Sequence, residues 1–145
     1  MNSVRIRNAS EADYDAVAAL LEAASLPTEG VAEHLRHFLV AENGDGIVGA
    51  IGLEVYGDTA FLRSAVVQPT QQSKGIGGLL YNQLIDNAKV LGISRLILLT
   101  DTAEKYFGRK GFRKIDAQSV TGPITTSVEF TGACPSHAVC MELVL

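Results

Sequence analysis

The sequence predicts one α/β domain over residues 1–145, built from a mixed β-sheet flanked by helices. Three observations predict this class. Short apolar runs typical of strands alternate with stretches that carry one apolar helical face. Residues 95–99 form a continuous apolar run, as expected of a central strand covered on both faces. A glycine-rich segment at residues 72–78 joins a strand directly to a helix.

The chain begins with a predicted strand followed by two helices. Residues 4–7 alternate between apolar and charged side chains, which is a strand pattern. Residues 10–13 form a capping-box-like start for a helix with one apolar stripe. Proline and glycine at residues 27–30 break that helix. A short second helix is predicted at residues 33–37.

Three strands are predicted next. Residues 38–42 and 47–55 flank a turn of asparagine, aspartate and glycine, which predicts a hairpin. Residues 59–67 form the following strand, which ends at Gln68-Pro69. The glycine-rich segment comes directly after this strand.

The main helix is predicted from about residue 76 to residue 91, where Gly92 stops it. The side chains expected on its buried face are Leu79, Leu80, Leu84, Ile85 and Ala88. After the central strand at residues 95–99, a short helix containing Tyr106 and a strand starting near Phe112 are predicted. An irregular stretch then leads to a last strand over residues 138–144.

Charge and cysteine usage limit the partners. The 145 residues carry a formal net charge of −4 and the pI is about 5.3, so no basic surface favours nucleic acid or an anionic membrane. No apolar run approaches a membrane span, and residues 1–5 open no signal-peptide pattern. Cys134 and Cys140 match no zinc or redox spacing. We therefore expect a cytoplasmic, reduced location, with no nucleic-acid or membrane partner.

A metal site is not predicted. His34 and His37 stand three residues apart near Glu33, but no third ligand follows at a sensible spacing. A solvated helix face is the favoured interpretation of these histidines. Cys140 lies within a strand and is expected to be a small core residue, whereas Cys134 precedes Pro135 in a loop, where it is either structural or in contact with substrate.

The glycine-rich segment predicts a seat for a phosphate group. Glycine lets the backbone turn and lets a ligand approach the main chain closely. The helix behind it offers unpaired N–H groups and the positive end of its dipole. A P-loop is excluded because no Gly-Lys-Ser/Thr occurs, and a Rossmann fingerprint is excluded because its third glycine position is Leu80.

The pattern that does fit is Gln/Arg-x-x-Gly-x-Gly, with Gln72, Gly75 and Gly77 in place after a Val-x-Pro strand end. A second landmark lies at residues 103–112, where a short helical segment ends in Gly111-Phe112. Together these landmarks resemble the Gcn5-related N-acetyltransferases, the GNAT superfamily, over nearly the whole chain. The resemblance implies acetyl-CoA as co-substrate and no metal. An ordinary strand-to-helix turn is the alternative for the glycines.

The resemblance also implies which residues hold the co-substrate. Main-chain N–H groups of the loop would hold the pyrophosphate, Lys74 would add charge, and the preceding strand end would pair with the pantetheine arm. The residues assigned to this site are Val66, Val67, Gln72, Ser73, Lys74, Gly75, Ile76, Gly77, Gly78 and Phe107.

Acetyl transfer needs a proton acceptor for the amine, and Glu54 near the end of its strand is the first candidate. A solvent-facing strand position is the alternative for Glu54, and Glu42 and Glu129 are weaker candidates. Many relatives carry a tyrosine five residues before the phenylalanine of Gly-Phe, as general acid for the thiolate. Phe107 occupies that place here, and its neighbour Tyr106 is either the acid or a packing residue.

A narrower resemblance, to the arsenic-resistance N-acetyltransferases, rests on residues 24–28, 52–57 and 62–64, together with 128–130, Cys134-Pro135 and Met141. Phe at the usual tyrosine place is familiar in that group. The dipeptide Gln72-Ser73 differs from that group, in which Arg-Gly is common at these two positions.

The narrower resemblance implies a small amino-acid-like acceptor that carries an arsenic or phosphorus acid. Arg63 could pair with such an anion, or it could be an outward-facing strand arginine. The predicted substrate residues are Tyr56, Arg63 and Ser64.

Two functions remain open from sequence. The first is an N-acetyltransferase in which the primary amine of a small molecule attacks the thioester directly. Direct attack is favoured over an acyl-enzyme because neither cysteine has a recognisable nucleophile setting. The second is a non-catalytic module that holds acyl-CoA as a sensor or structural ligand. The enzyme is favoured over the second function because the Val67-Gln68-Pro69 strand end and the polar residues around Glu54 are present. A homodimer is expected from the resemblance alone.

Overall fold

The computed structural model describes residues 3–72, 74–127, 130 and 138–145. The strands of this part of the chain are β1 (Arg5–Asn8), β2 (Phe38–Asn43), β3 (Gly46–Tyr56), β4 (Thr59–Val67), β5 (Arg95–Thr100), β6 (Arg113–Ile115) and β7 (Val139–Val144). The helices are α1 (Tyr14–Ala23), α2 (Val31–His34), α3 (Ile76–Val90) and α4 (Glu104–Arg109), and single 3-10 turns lie between several of these elements.

The strands form one mixed sheet in the order β1-β2-β3-β4-β5-β7-β6. β4 and β5 are parallel, and every other neighbouring pair is antiparallel. The parallel pair is connected by α3, as a crossover between parallel strands requires. The predicted class, a mixed α/β sheet with flanking helices, is confirmed.

Apolar clusters cover the sheet. The largest packs α3 and α4 against the strands through residues such as Leu80, Leu84 and Phe107. A second cluster packs α1 and α2 against β2 and β3 through Val17, Leu21, Val31, Leu35, Phe38, Val40 and Ala50. The domain therefore has the helix-sheet-helix layering that its strand and helix patterns predict.

The prediction for the buried face of α3 was wrong at one position. Leu79 is 50% exposed, and Tyr81 is buried in its place. The buried face is set by residues 76, 80, 84 and 88, which recur at the four-residue spacing of one helix face. Leu79 lies about 100° away from Leu80 around the helix axis. The second helix also begins at Val31, two residues earlier than predicted.

A β-bulge interrupts the pairing of β3 with β4. Ala50 is opposite Val66 and Gly52 is opposite Arg63, so two residues of β4, at positions 64 and 65, face one residue of β3. Ser64 takes up the bend with φ +61°, a left-handed conformation that is uncommon for serine. The bulge lies in the part of β4 that forms the site described below.

The start of α1 is joined to β1 and β2 by an ion-pair network. Ser10 and Asp13 form a capping box, with the Ser10 N–H donating to the Asp13 carboxylate at 2.8 Å. Arg7 donates to Asp13 at 2.7 Å and to Glu42 at 3.2 Å. The hydrogen bond from Arg7 holds the pKa of Asp13 well below its usual range.

Acidification is expected to destabilise the fold. Hydrogen bonds from Arg7 lower the pKa of Asp13, and those from Arg113 and Arg95 lower the pKa of Glu142. Both carboxylates therefore have a lower pKa in the folded protein than in the unfolded chain. The stability that they contribute is complete above the unfolded-state pKa, near 4, and is lost as the pH falls through the folded-state pKa. Urea midpoints followed by circular dichroism should be similar at pH 7 and 5 and fall below about pH 4.

Asp13→Asn is the matched control for this pH dependence. It removes one of the titrating groups, so its urea midpoint should start lower at pH 7 and decline less steeply with acid. An unchanged wild-type midpoint between pH 5 and pH 3 would contradict the assigned role of these carboxylates.

Candidate active site

A cleft opens where β4 and β5 stop pairing. The two parallel strands are paired only over residues 59–61 and 95–97. Beyond that point, residues 62–67 and 98–100 line a cleft of about 820 Å³ together with Phe107 of α4. The cleft is also lined by residues of α1 and the segment after it, namely Ala16, Ala19, Leu20, Ala23, Ala24, Ser25, Leu26 and Pro27. A long, narrow ligand can therefore enter between the two strands.

The end of β4 presents main-chain groups to this cleft. Val66 and Val67 line the cleft and pair on their other side with Ala50 and Gly49 of β3. On the β5 side, no strand in the described part of the chain pairs with residues 62–67. Backbone amides on that side are available to an extended ligand, since strand backbone groups need partners. This is the position predicted to pair with the pantetheine arm.

The predicted phosphate seat lies at the start of α3. Gly75 is the N-cap residue with φ +82°, a conformation that glycine adopts without strain. The first intrahelical bond runs from the Leu79 N–H to the Gly75 carbonyl at 3.1 Å, so the three N–H groups before it point out of the helix end. The side chain of Ile76 is buried in the core, so this residue can contribute only its backbone.

The space above this helix end fits a phosphate. A Cβ atom built at Gly75 or Gly78 would meet nothing within 4 Å, and one at Gly77 would meet only ordinary contacts. Lys74 lies at the same end and donates to Gln71 at 3.4 Å. The Gln72 amide donates to the Val67 carbonyl at 3.1 Å. The glycines therefore leave open space for a ligand with a phosphate group.

Phe107 and Tyr106 point in different directions from α4. Phe107 is 6% exposed and lines the cleft, whereas Tyr106 is 37% exposed and does not line it. The two rings meet edge to face at 5.1 Å. Because adjacent helical residues point about 100° apart, Tyr106 cannot take the position of its neighbour. The structure does not bring the predicted tyrosine acid into the cleft.

Glu54 lies at the centre of a buried polar cluster. Its carboxylate is 1% exposed, so the alternative of a solvent-facing position was wrong. Arg63 donates to Oε2 at 2.7 Å, and the Tyr56 hydroxyl donates to Oε1 at 2.5 Å. Ser127 also hydrogen-bonds to this carboxylate. The structure therefore brings together three of the predicted site residues, Glu54, Tyr56 and Arg63.

The cluster keeps Glu54 ionised. Burial raises the pKa of Glu54, but the hydrogen bonds from Tyr56, Ser127 and Arg63 outweigh it, and the pKa ends below its ordinary value. Burial and the hydrogen bond to Glu54 raise the pKa of Tyr56 well above its ordinary value. Tyr56 is thus a neutral hydrogen-bond donor at neutral pH, and Glu54 is its anionic acceptor.

Hydrogen bonds to three groups help to position the side chain of Arg63. It donates to Glu54, to the Ser64 hydroxyl at 3.0 Å and to the Pro27 carbonyl at 3.2 Å. Its side chain is 0% exposed, so the alternative of an outward-facing arginine was wrong. Arg63 and Ser64 are also among the residues that line the cleft.

His34 joins this cluster, which the sequence did not predict. Its Nε2 lies 3.9 Å from Glu54 Oε1, and its ring lies 6.0 Å from the ring of Tyr56. A second pocket of about 450 Å³ is lined by Gly30, Glu33, His34, Glu54, Tyr56 and Thr126. The spacing of His34 and His37 carried no signal for this position, because the contact depends on how α2 packs on β3.

The other candidates lie away from this cluster or outside the described residues. Glu42 lies in β2 and forms an ion pair with Arg7 of β1. Ser73, Glu129 and Cys134 lie outside the described residues. Cys140 is a buried free thiol, and burial raises its pKa to about 11, as suits the predicted core position.

Within the described ranges, no group of three or more histidine, cysteine, aspartate or glutamate side chains is arranged to hold a metal ion. In the same part of the chain, no helix has both the length and the hydrophobicity to cross a membrane.

Sequence comparison identifies relatives of this chain. The model of the acetyltransferase (GNAT) domain matches residues 34–114, more than half of the chain. An amino-acid acetyltransferase of Mycobacterium tuberculosis is 31% identical over 111 residues, which cover 74% of this chain and 60% of the relative. An amino-acid acetyltransferase of Neisseria meningitidis is 28% identical over 121 residues, covering 76% of this chain and 27% of the relative. The chain thus spans only about a quarter of that relative's length.

Solved structures have the same fold. N-acetylglutamate synthase from Neisseria gonorrhoeae, complexed with coenzyme A and N-acetyl-glutamate, gives a TM-score of 0.82 at 24% identity, covering 99% of this chain and 35% of that one. Rv2747 from Mycobacterium tuberculosis, in a complex that contains CoA, gives a TM-score of 0.81 at 25% identity, covering 97% and 99%. These folds agree with the mixed sheet and flanking helices described above. The chain belongs to the GNAT family of acetyltransferase domains.

Proposed function

We propose that this protein transfers an acetyl group from acetyl-CoA to the primary amine of a small molecule. The observation that carries the proposal is the cleft between β4 and β5, which has the N-terminus of α3 at one end and the Glu54 cluster beside it. The helix end suits a pyrophosphate, and the edge of β4 suits an extended arm. CoA is present in structures of the same fold.

The chemistry is direct attack. The amine nitrogen forms a bond to the thioester carbon, the carbon–sulfur bond breaks, and the electron pair leaves with sulfur as the CoA thiolate. The amine loses one proton in the process. Cys140 is buried with a raised pKa, so it is a poor nucleophile and an acyl-enzyme through it is disfavoured.

In this proposal the Glu54 cluster handles the proton of the amine. Glu54 as the direct base remains a prediction, and its hydrogen bonds with Tyr56 and Arg63 argue for an indirect role. A carboxylate with a lowered pKa is a weak base but stabilises a positive charge nearby. His34, 3.9 Å from that carboxylate on the open side of the cluster, is placed to take up the proton.

The acceptor is proposed to be amino-acid-like. Relatives in Mycobacterium tuberculosis and Neisseria meningitidis are named amino-acid acetyltransferases, which supports this class. The resemblance to the arsenic-resistance enzymes supports a narrower version, in which the amine carries an arsenic or phosphorus acid. The hydrogen bonds of Arg63 limit its role in binding the acceptor, because much of its hydrogen-bonding capacity is already used.

A thiol-release assay tests the proposed function. Acetyl-CoA is offered with a panel of amines that includes glutamate, other amino acids, and amino acids with phosphinic or arsonic acid side chains. Turnover with any of them supports acetyl transfer, and the preferred amine identifies the acceptor class. CoA binding by calorimetry without turnover on any amine would favour a non-catalytic acyl-CoA-binding module instead.

Phe107→Tyr is expected to raise the rate of thiol release. The cleft has phenylalanine in place of a hydroxyl donor, and the thiolate must leave unaided, as its pKa near 8.5 permits. A hydroxyl at this position should increase turnover, by no more than roughly a hundredfold. Turnover in saturating substrates is the measurement. Phe107→Leu is the control without a hydroxyl and should give no gain, whereas equal rates for Phe107→Tyr and wild type would mean that departure of the thiolate is not rate-limiting.

A further inference from the structure

The side chain of Tyr106 lies beside the first turn of α3 and does not line the cleft. Its hydroxyl is 4.0 Å from the position that a Cβ atom of Gly77 would occupy. Gly77 belongs to the first turn of α3, whose N–H groups have no partner within the helix. The ring of Phe107 fills the position inside the cleft and packs against the Tyr106 ring.

Lys110 brings a positive charge to the same face of α3. Its ammonium lies 5.6 Å from the centre of the Tyr106 ring and 5.0 Å from that of Tyr81. Tyr81 lies one helical turn after Gly77, so the rings of Tyr106 and Tyr81 and the Lys110 ammonium lie along one face of α3. No ion pair joins Lys110 to a carboxylate within the described ranges.

The glycine loop itself carries little positive charge for a ligand with several phosphates. Between residues 72 and 78, Lys74 is the one cationic residue, and it already donates to Gln71. Gln72 is neutral, and its amide donates to the Val67 carbonyl. A diphosphate at the helix end therefore benefits from a donor and a cation supplied by another element.

We propose that Tyr106 and Lys110 bind the phosphate groups of CoA from α4, opposite the N–H groups of α3. The Tyr106 hydroxyl donates a hydrogen bond to a phosphate oxygen, and the Lys110 ammonium adds a charge beside it. Tyr106 is then a binding residue, and the proton for the departing sulfur does not come from it. This inference rests on the proposed function only for the identity of the ligand.

Calorimetry with CoA tests the inference without any turnover. Tyr106→Phe keeps the ring and removes the hydroxyl, and it should weaken CoA binding roughly tenfold, as expected for one hydrogen bond to a charged group. Lys110→Met keeps most of the aliphatic stem and should weaken binding several-fold at low salt, with the difference shrinking as salt is raised. Lys89→Met removes a charge near the C-terminal end of α3 and should leave CoA binding unchanged.

Kinetics then separate a binding role from an acid role. For Tyr106→Phe, a binding role raises KM for acetyl-CoA more than it lowers kcat. Wild-type CoA affinity in folded Tyr106→Phe, or a loss confined to kcat, would overturn the inference. If the wild type binds CoA but acetylates no amine, the proposed transfer fails while the calorimetric comparison still decides the role of Tyr106. If the wild type binds no CoA, both proposals fail.

Discussion

Glu54→Gln is expected to destabilise the fold by about 3–5 kcal/mol, because it removes a buried negative charge that pairs with the buried Arg63 guanidinium. Both side chains are 1% exposed or less, so water cannot replace the lost partner. Glutamine keeps the shape of glutamate, and the loss therefore reports on charge rather than on packing. Urea unfolding followed by circular dichroism measures it. Glu42→Gln is the matched control, and this exposed partner of Arg7 should cost no more than about 1 kcal/mol.

The same substitution is expected to lower turnover on the order of 10²–10⁴-fold while CoA affinity stays near that of the wild type. Calorimetry with CoA shows whether the folded variant still has an intact cleft. A second variant, Glu54→Leu with Arg63→Met, replaces the ion pair by apolar side chains and should recover much of the stability but none of the turnover. Wild-type turnover in Glu54→Gln would remove this carboxylate from the mechanism.

Gly52→Ala is expected to destabilise the fold by overpacking the core. A Cβ atom at Gly52 would lie 2.3–2.5 Å from the ring carbons of Phe38, distances that real contacts do not show. Phe38 is fully buried among the side chains of α1 and α2, so its ring has no free space to move into. Overpacking of this kind costs about 1–3 kcal/mol, occasionally more.

Two further variants make the Gly52 prediction specific. Gly44→Ala lies in the hairpin turn, meets nothing within 4 Å, and should leave the urea midpoint nearly unchanged. Phe38→Leu shortens the opposing side chain, so the double variant with Gly52→Ala should be more stable than the sum of the two single losses predicts. A urea midpoint for Gly52→Ala equal to that of wild type would mean that Phe38 yields easily.

The local geometry of the proposed co-substrate end could be predicted from sequence because it is formed by consecutive residues. Gln72, Gly75 and Gly77 occupy a strand-to-helix turn, and both the turn and the helix end are local consequences of the glycines. Phe107 and Tyr106 are also adjacent, so helix geometry alone separates their directions. Nothing distant in the chain is needed to place these groups.

Three residues of the Glu54 cluster could be predicted, but not their contacts or the presence of His34, because these depend on how distant elements pack together. Phe61 lies directly opposite Glu54, and Arg63 reaches the carboxylate from the next position on the same face. His34 arrives from α2, which the sequence marked only as a short helix. Sequence spacing describes neither the strand register nor the packing of a helix on a sheet.

The extra residue in β4 has a consequence for changes in chain length. Leu62 packs with the α3 side of the sheet, Val66 with the α1 side, and Val67 with the α3 side again, an order that strict alternation from Leu62 would not give. Deleting Ala65 would restore strict alternation and leave Val66 and Val67 on the faces that they occupy now. Loss of one residue at the bulge should therefore straighten β4 and keep the walls of the cleft on their present faces, whereas one further inserted residue would exchange the faces of Val66 and Val67.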